Sequence, residues 1–253
     1  MKRIVYTLLS RETLPILLAL VFATLVSAGL VIGRILWTGK SLYGFLLWNL
    51  FLAWLPLLFA MFASNLDRHG EHRTMRFAGL AVAWLLFFPN APYIITDLIH
   101  LTTRFHRHFW IDLNLILICA FTGLLLGFVS LYLMQSIVAR RLGRVAGWLF
   151  VGGSAGLCSV GIYLGRFLRL NSWDVVVQPG KVYRGIDAWM DGRLPQMSSG
   201  AFLMLLAIFL FLSYVMLYAL THLPRHERNS SNTMWVRIAN PNVVGPPKRA
   251  IEV

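Results

Sequence analysis

LNLILICAFTGLLLGFVSLYLMQS, Leu113–Ser136, decides the fold: 24 residues without one Asp, Glu, Lys, Arg or His. An α-helix rises about 1.5 Å per residue and a bilayer core is about 30 Å thick, so about 20 apolar residues reach across. Five further stretches have the same character: Leu14–Ile32, Leu42–Ala63, Phe77–Ile95, Val145–Leu164 and Ala201–Leu220. The pattern predicts an all-α, polytopic membrane helix bundle with six transmembrane helices.

Composition agrees. The chain is 58% hydrophobic and 13% charged, with a mean hydropathy of +0.67. A soluble domain carries about 25% charged residues. The net charge of +13 does not point to nucleic acid, because the basic residues sit in loops and tails beside apolar spans. There they set orientation and meet anionic headgroups. Membrane lipids are the expected partners, and nucleic acid is excluded. Six spans and short loops leave one domain, residues 1–224, followed by a basic cytoplasmic tail over 225–253. That tail contains NSSN, PN and PP with no apolar period, a composition expected to be disordered.

Lys2, Arg3 and Arg11 precede the first span, and Val26-Ser27-Ala28 resembles a signal-peptide cleavage site. The apolar run continues through Val31, Ile32, Ile35 and Leu36, so an uncut first span is expected. One side of the membrane would carry Lys2, Arg3, Arg11, Arg68, Arg73, Arg76, Arg140, Arg141, Arg144 and five tail residues, 14 of the 23 basic residues. Basic loops stay inside, which predicts both termini cytoplasmic and loops one, three and five outside.

The strongest local signal is FFPNAPYIITDLIHL, Phe87–Leu101. Pro89 and Pro92 each remove an N–H and clash one turn back, freeing carbonyls at membrane depth. Asn90 lies between them. The segment reads either as a kinked helix whose loose backbone Asn90 satisfies, or as a broken helix lining a cavity. Asp97 and His100, three apart, share a face if the helix resumes. They are the candidate catalytic acid/base pair. His106, His108 and Asp112 lie nearby, but D-x-x-H is a weak motif, and no metal-ligand set is assigned.

GRFLRLNSWD, Gly165–Asp174, is the second signal. Arg166 and Arg169 would share a helical face and suit phosphate or carboxylate, making them the candidate anion-binding residues. Snorkelling to headgroups, or an ion pair with Asp174 or Asp97, is the plainer use of the same arginines. Asn49, Asn90, Tyr93, Asp112, Asn114, Asn171, Trp173 and Asp174 are the candidate pocket-lining residues. By the predicted topology Asn49, Asn90, Asp97, His100, Asp112, Asn114, Arg166, Arg169 and Asp174 all fall at outer helix ends, whereas interface residues scattered at random would be shared between leaflets. No ionisable residue marks the centre of a span, as a proton-coupled pump would require. No Walker, H-E-x-x-H or G-x-S-x-G motif occurs. Cys119 and Cys158 read as small buried residues. Gly123, Gly127, Ser130, Gly152, Gly153, Ser154 and Gly156 read as sites of close helix packing.

WNLFLAWLP (Trp48–Pro56), FPNAPYIITDLIHL (Phe88–Leu101) and RFLRLNSWDV (Arg166–Val175) resemble a bacterial membrane-protein family catalogued as domain of unknown function 1361. The resemblance implies a multi-pass protein of the bacterial cytoplasmic (inner) membrane and supplies no activity, substrate or cofactor. The residues themselves point to an extracytoplasmic polar pocket that binds or modifies an anionic lipid or lipid-linked group. The alternatives are a small-solute transporter gated by the broken third span, and a structural or assembly factor of the cell envelope.

Overall fold

A computed structural model describes residues 14–71, 74–102, 108–190 and 199–222. The N-terminal basic residues, His106 and the tail beyond 224 lie outside the described residues. Among the described residues ten α-helices follow one another: α1 (Leu14–Thr38), α2 (Phe45–Arg68), α3 (Met75–Phe87), α4 (Asn90–Tyr93), α5 (Ile99–Thr102), α6 (Phe109–Leu142), α7 (Arg144–Phe167), α8 (Asp174–Val177), α9 (Pro179–Met190) and α10 (Ser199–Thr221). A 3₁₀ turn, Ile94–Leu98, links α4 to α5, and no strand occurs among the described residues. Among the described residues six helical segments are long and apolar enough to cross a membrane, and all six overlap the predicted stretches.

Helix ends are set by local chemistry. Thr74 caps α3, its Oγ1 accepting from the Phe77 N–H at 3.3 Å. Gly143 alone separates α6 from α7, with φ of 93°, a conformation costly for residues with a Cβ. α6 is the longest and most buried and packs against α1, α2, α4, α7 and the 3₁₀ turn. Leu46, Leu50, Ala53, Leu57, Ile94, Ile116, Cys119 and Leu126 form the core around it. Both cysteines are buried and free. Phe22, Leu25, Phe121, Leu149, Met204 and Leu205 are exposed. An apolar outer surface of this kind fits lipid as solvent.

The chain divides by internal contacts after Leu212. In the first unit, Phe202 packs its ring against Tyr163 and Phe167, and Phe211 packs against Trp148. In the second, the end of α10 stacks Tyr218 on His222 at 4.0 Å between ring centroids.

The third span breaks where its prolines stand. Helix α3 ends at Phe87, and the chain continues as one turn of α4, the 3₁₀ turn and α5. The Ala91 N–H bonds back to Phe88 at 3.2 Å, and Tyr93 to Pro89 at 3.0 Å. Two carbonyls left over by the break receive side chains. Asn90 Nδ2 donates to Phe87 O at 3.0 Å, and Ser172 Oγ donates to Leu86 O at 2.9 Å. Both readings of the segment therefore meet here: Asn90 satisfies loose backbone, and the broken helix lines a cavity.

Glycines hold the break in place. A Cβ on Gly123 would lie 2.6 Å from Ala91 O, and one on Gly161 would lie 2.5 Å from Pro89 Cγ. A Cβ on Gly127 would make a looser but still tight contact, 3.1 Å from Ala91 Cβ. The expectation for Gly152, Gly153 and Gly156 is corrected: a Cβ on any of them meets nothing within 4 Å, because these positions of α7 turn away from its neighbours.

Candidate functional site

The cavity beside the broken span, about 200 Å³, lies among α2, the α3–α4 break, the end of α7 and the segment after it. Asn49, Asn90, Tyr93, Asn171 and Ser172 give it polar groups, and Leu52, Leu86, Pro89 and Leu164 give it apolar walls. Asn90 Nδ2 reaches Ser172 Oγ at 2.9 Å as well as Phe87 O, so the loop after α7 is tied to the broken helix through one amide.

Behind this cavity lies a buried ion pair. Arg166 Nη1 donates to Asp97 Oδ1 at 3.0 Å. Asn49 Nδ2 donates to Asp97 Oδ2 at 2.9 Å. Asp97 is 1% exposed and Arg166 lies over the Tyr93 ring, 5.9 Å from its centroid. Both carboxylate oxygens are thus occupied, as a charge at this depth requires. His100 Nε2 lies 3.9 Å from Asp97 Oδ1, about half-exposed, and its ring packs on Phe45. The two members of the proposed acid/base pair are neighbours, with the aspartate buried and the imidazole at the surface.

The arginine pair is arranged differently from its expected helical face. Helix α7 ends at Phe167, before Arg169. Arg169 takes a left-handed φ of 53°, and the Leu170 N–H returns to Leu164 O at 3.2 Å. The chain therefore turns between the two arginines. Arg166 is spent on Asp97, whereas exposed Arg169 makes no side-chain hydrogen bond or ion pair among the described residues.

Asp174 caps the turn that follows. It accepts from the Asn171 N–H at 2.8 Å and from Lys181 Nζ at 3.3 Å. The Asn171 backbone N–H, helped by Lys181 and opposed by burial, holds this carboxyl below the usual aspartate range. Trp173 meets Trp48 edge to face, with centroids 6.4 Å apart.

Asp112 and Asn114 are placed elsewhere. Asp112 forms a two-pronged pair with Arg34, at 2.7 and 3.2 Å, beside Lys40, Tyr43 and His108. Asn114 bonds to Trp110 O on its own helix and faces a groove between α1 and α6. Neither lines the cavity at Asn90. Sequence reading missed Ser172, whose hydroxyl stood in a highlighted segment but whose target carbonyl lies 86 positions away. It missed Gly161 and Arg34 too. At the opposite end of the bundle, Asp67 accepts from Arg140 and Arg141, each at 2.9 Å. Among the described residues, no group of three or more His, Cys, Asp or Glu side chains is placed to hold a metal.

Six apolar helices and a polar cavity backed by a buried ion pair define a multi-pass, all-α membrane protein. The chain belongs to the family described as protein of unknown function (DUF1361), whose model matches residues 48–215. No curated protein and no solved structure matches it.

Proposed function

We propose that the cavity receives the polar head of an anionic lipid or lipid-linked group at the extracytoplasmic face. The observation that carries this reading is the placement of Asn49, Asn90, Tyr93, Asn171 and Ser172 around one recess at a helix-bundle end. Amide, phenol and hydroxyl groups supply donors, and apolar walls suit the adjoining chain. Arg169 supplies the uncompensated charge. It occupies a backbone position that glycine ordinarily fills, next to the lining residues Leu170 and Asn171. Arg166, already paired, acts through position: it fixes Asp97, which fixes Asn49.

Binding is better supported than turnover. Asp97 is buried and each of its oxygens already accepts a hydrogen bond, so proton exchange with a bound group would fall to the half-exposed His100, whose Nε2 lies 3.9 Å away. A gating role for the third span is less favoured, because its freed carbonyls are satisfied and glycines of α6 and α7 clamp it. The Asp97–Arg166 pair by itself would also serve a structural factor.

The discriminating variant is Arg169→Gly. Glycine takes the left-handed conformation without penalty, so the melting temperature should hold or rise. Binding of phosphatidylglycerol relative to phosphatidylcholine, read by native mass spectrometry of the full chain, should weaken by about tenfold, the effect of losing one charge-assisted hydrogen bond. Unchanged preference for the anionic lipid would refute the assignment and leave the structural role.

A further inference from the structure

A second cleft lies at the other end of the bundle, apart from the Asn90 cavity. Helix α1 packs chiefly on α6 and only lightly on α2. The gap is walled by Ile16, Leu17, Leu57, Met61, Val129 and Leu133, a volume of about 120 Å³. Its polar residues are Ser64, Asn65 and Arg68 of α2, with Tyr132 of α6.

Asn65 Oδ1 is buried and accepts no hydrogen bond. Exchanging the amide atoms would strand a donor there instead. Ser64, also lining the cleft, is 7% exposed, and its hydroxyl bonds to no described residue. Arg68, one turn on, is exposed and forms no side-chain hydrogen bond or ion pair among the described residues. A stranded buried polar atom costs about 1–3 kcal/mol, so native structures seldom leave one without a reason. Asn65 does so here, inside a mostly apolar cleft.

We infer that this cleft is a phospholipid site selective for headgroups that carry N–H or O–H donors. The acyl chain runs along Leu57, Met61, Val129 and Leu133. The headgroup donor meets Asn65 Oδ1 and the Ser64 hydroxyl, and the phosphate meets Arg68. A cation without a donor, such as choline, leaves the Asn65 oxygen stranded and is disfavoured. This assignment does not depend on the cavity at Asn90, which lies at the opposite helix ends.

The test compares phosphatidylethanolamine with phosphatidylcholine of identical acyl chains, titrated into the detergent-solubilised full chain and read by native mass spectrometry. Both lipids have the same net charge, so the anion preference proposed for the Arg169 site does not enter. Phosphatidylethanolamine should bind about tenfold more tightly, the effect of one hydrogen bond made or lost. Asn65→Leu should bring the two lipids level, and Ser64→Ala should narrow the gap in a background that preserves packing. Equal binding by the wild-type chain would overturn the proposal, as expected if ordered water alone fills the cleft. A preference that survives both substitutions would overturn it too, by placing the selective site elsewhere.

Discussion

Asp97 shows what a carboxylate needs in order to sit inside this bundle. Its oxygens are divided between Arg166 and Asn49, and the side chain is almost fully buried. Removing one partner of such a pair leaves the other charged and uncompensated, at a cost of about 3–5 kcal/mol. Arg166→Met should therefore lower stability by about that amount, measured as loss of thermal unfolding temperature in detergent. Adding Asp97→Asn should restore part of the loss, since a neutral amide no longer requires the cation. An unchanged melting temperature for Arg166→Met would refute the role given to the pair. At this scale the sequence displayed the right residue types at the right helix ends. It could not display the pairing, because Asp97 and Arg166 stand 69 positions apart and Arg34 and Asp112 stand 78 apart. An ion pair across a bundle is a property of helix rotation and neighbours, and neither follows from spacing along one helix.

Element by element, the broken third span is the feature on which the cavity depends, and its support comes from two other helices. Pro89 and Pro92 announce the break, and Asn90 sits where a loose carbonyl needs a donor, so this much was legible from residue chemistry. The clamp was only half legible. Gly123 and Gly127 of α6 do lie against Ala91, as small residues in a span suggest, but Gly152, Gly153 and Gly156 do not pack closely, and Gly161 does. Small size permits close approach without specifying which helix face a neighbour will choose. The distinction can be measured. Gly161→Ala sets a methyl into the Pro89 ring, and Gly123→Ala sets one against the Ala91 carbonyl. Neither obstacle is the end of a flexible side chain, so each substitution should cost about 1–3 kcal/mol and widen or close the cavity at Asn90. Gly152→Ala meets open space and should leave the melting temperature unchanged or raised. Equal effects from Gly161→Ala and Gly152→Ala would mean that the break is not held by α7.

At the scale of the bundle, the ionic ties between helices among the described residues lie at two ends. Asp97–Arg166 and Arg34–Asp112 join helices at the end that holds the Asn90 cavity, and Asp67 with Arg140 and Arg141 joins α2 to α6 at the other. Six spans were plain from hydropathy alone, because a bilayer filters sequence more severely than water does. Which end faces the cytoplasm rests on the excess of Lys and Arg in loops two and four and at the termini, and it decides which leaflet each proposed lipid site addresses. Buried Cys119 and Cys158 make the question direct, since neither thiol offers background to a surface reagent. Lys40→Cys lies in the exposed connection beside the Arg34–Asp112 pair, and His69→Cys in the exposed turn after Arg68. In intact spheroplasts a membrane-impermeant maleimide should label the first and reach the second only after permeabilisation. The reverse pattern would turn the Asn90 cavity to the cytoplasmic leaflet and the Ser64–Asn65 cleft outward. The charge-based orientation would then fall, while the ion pairs and both recesses would stand as described.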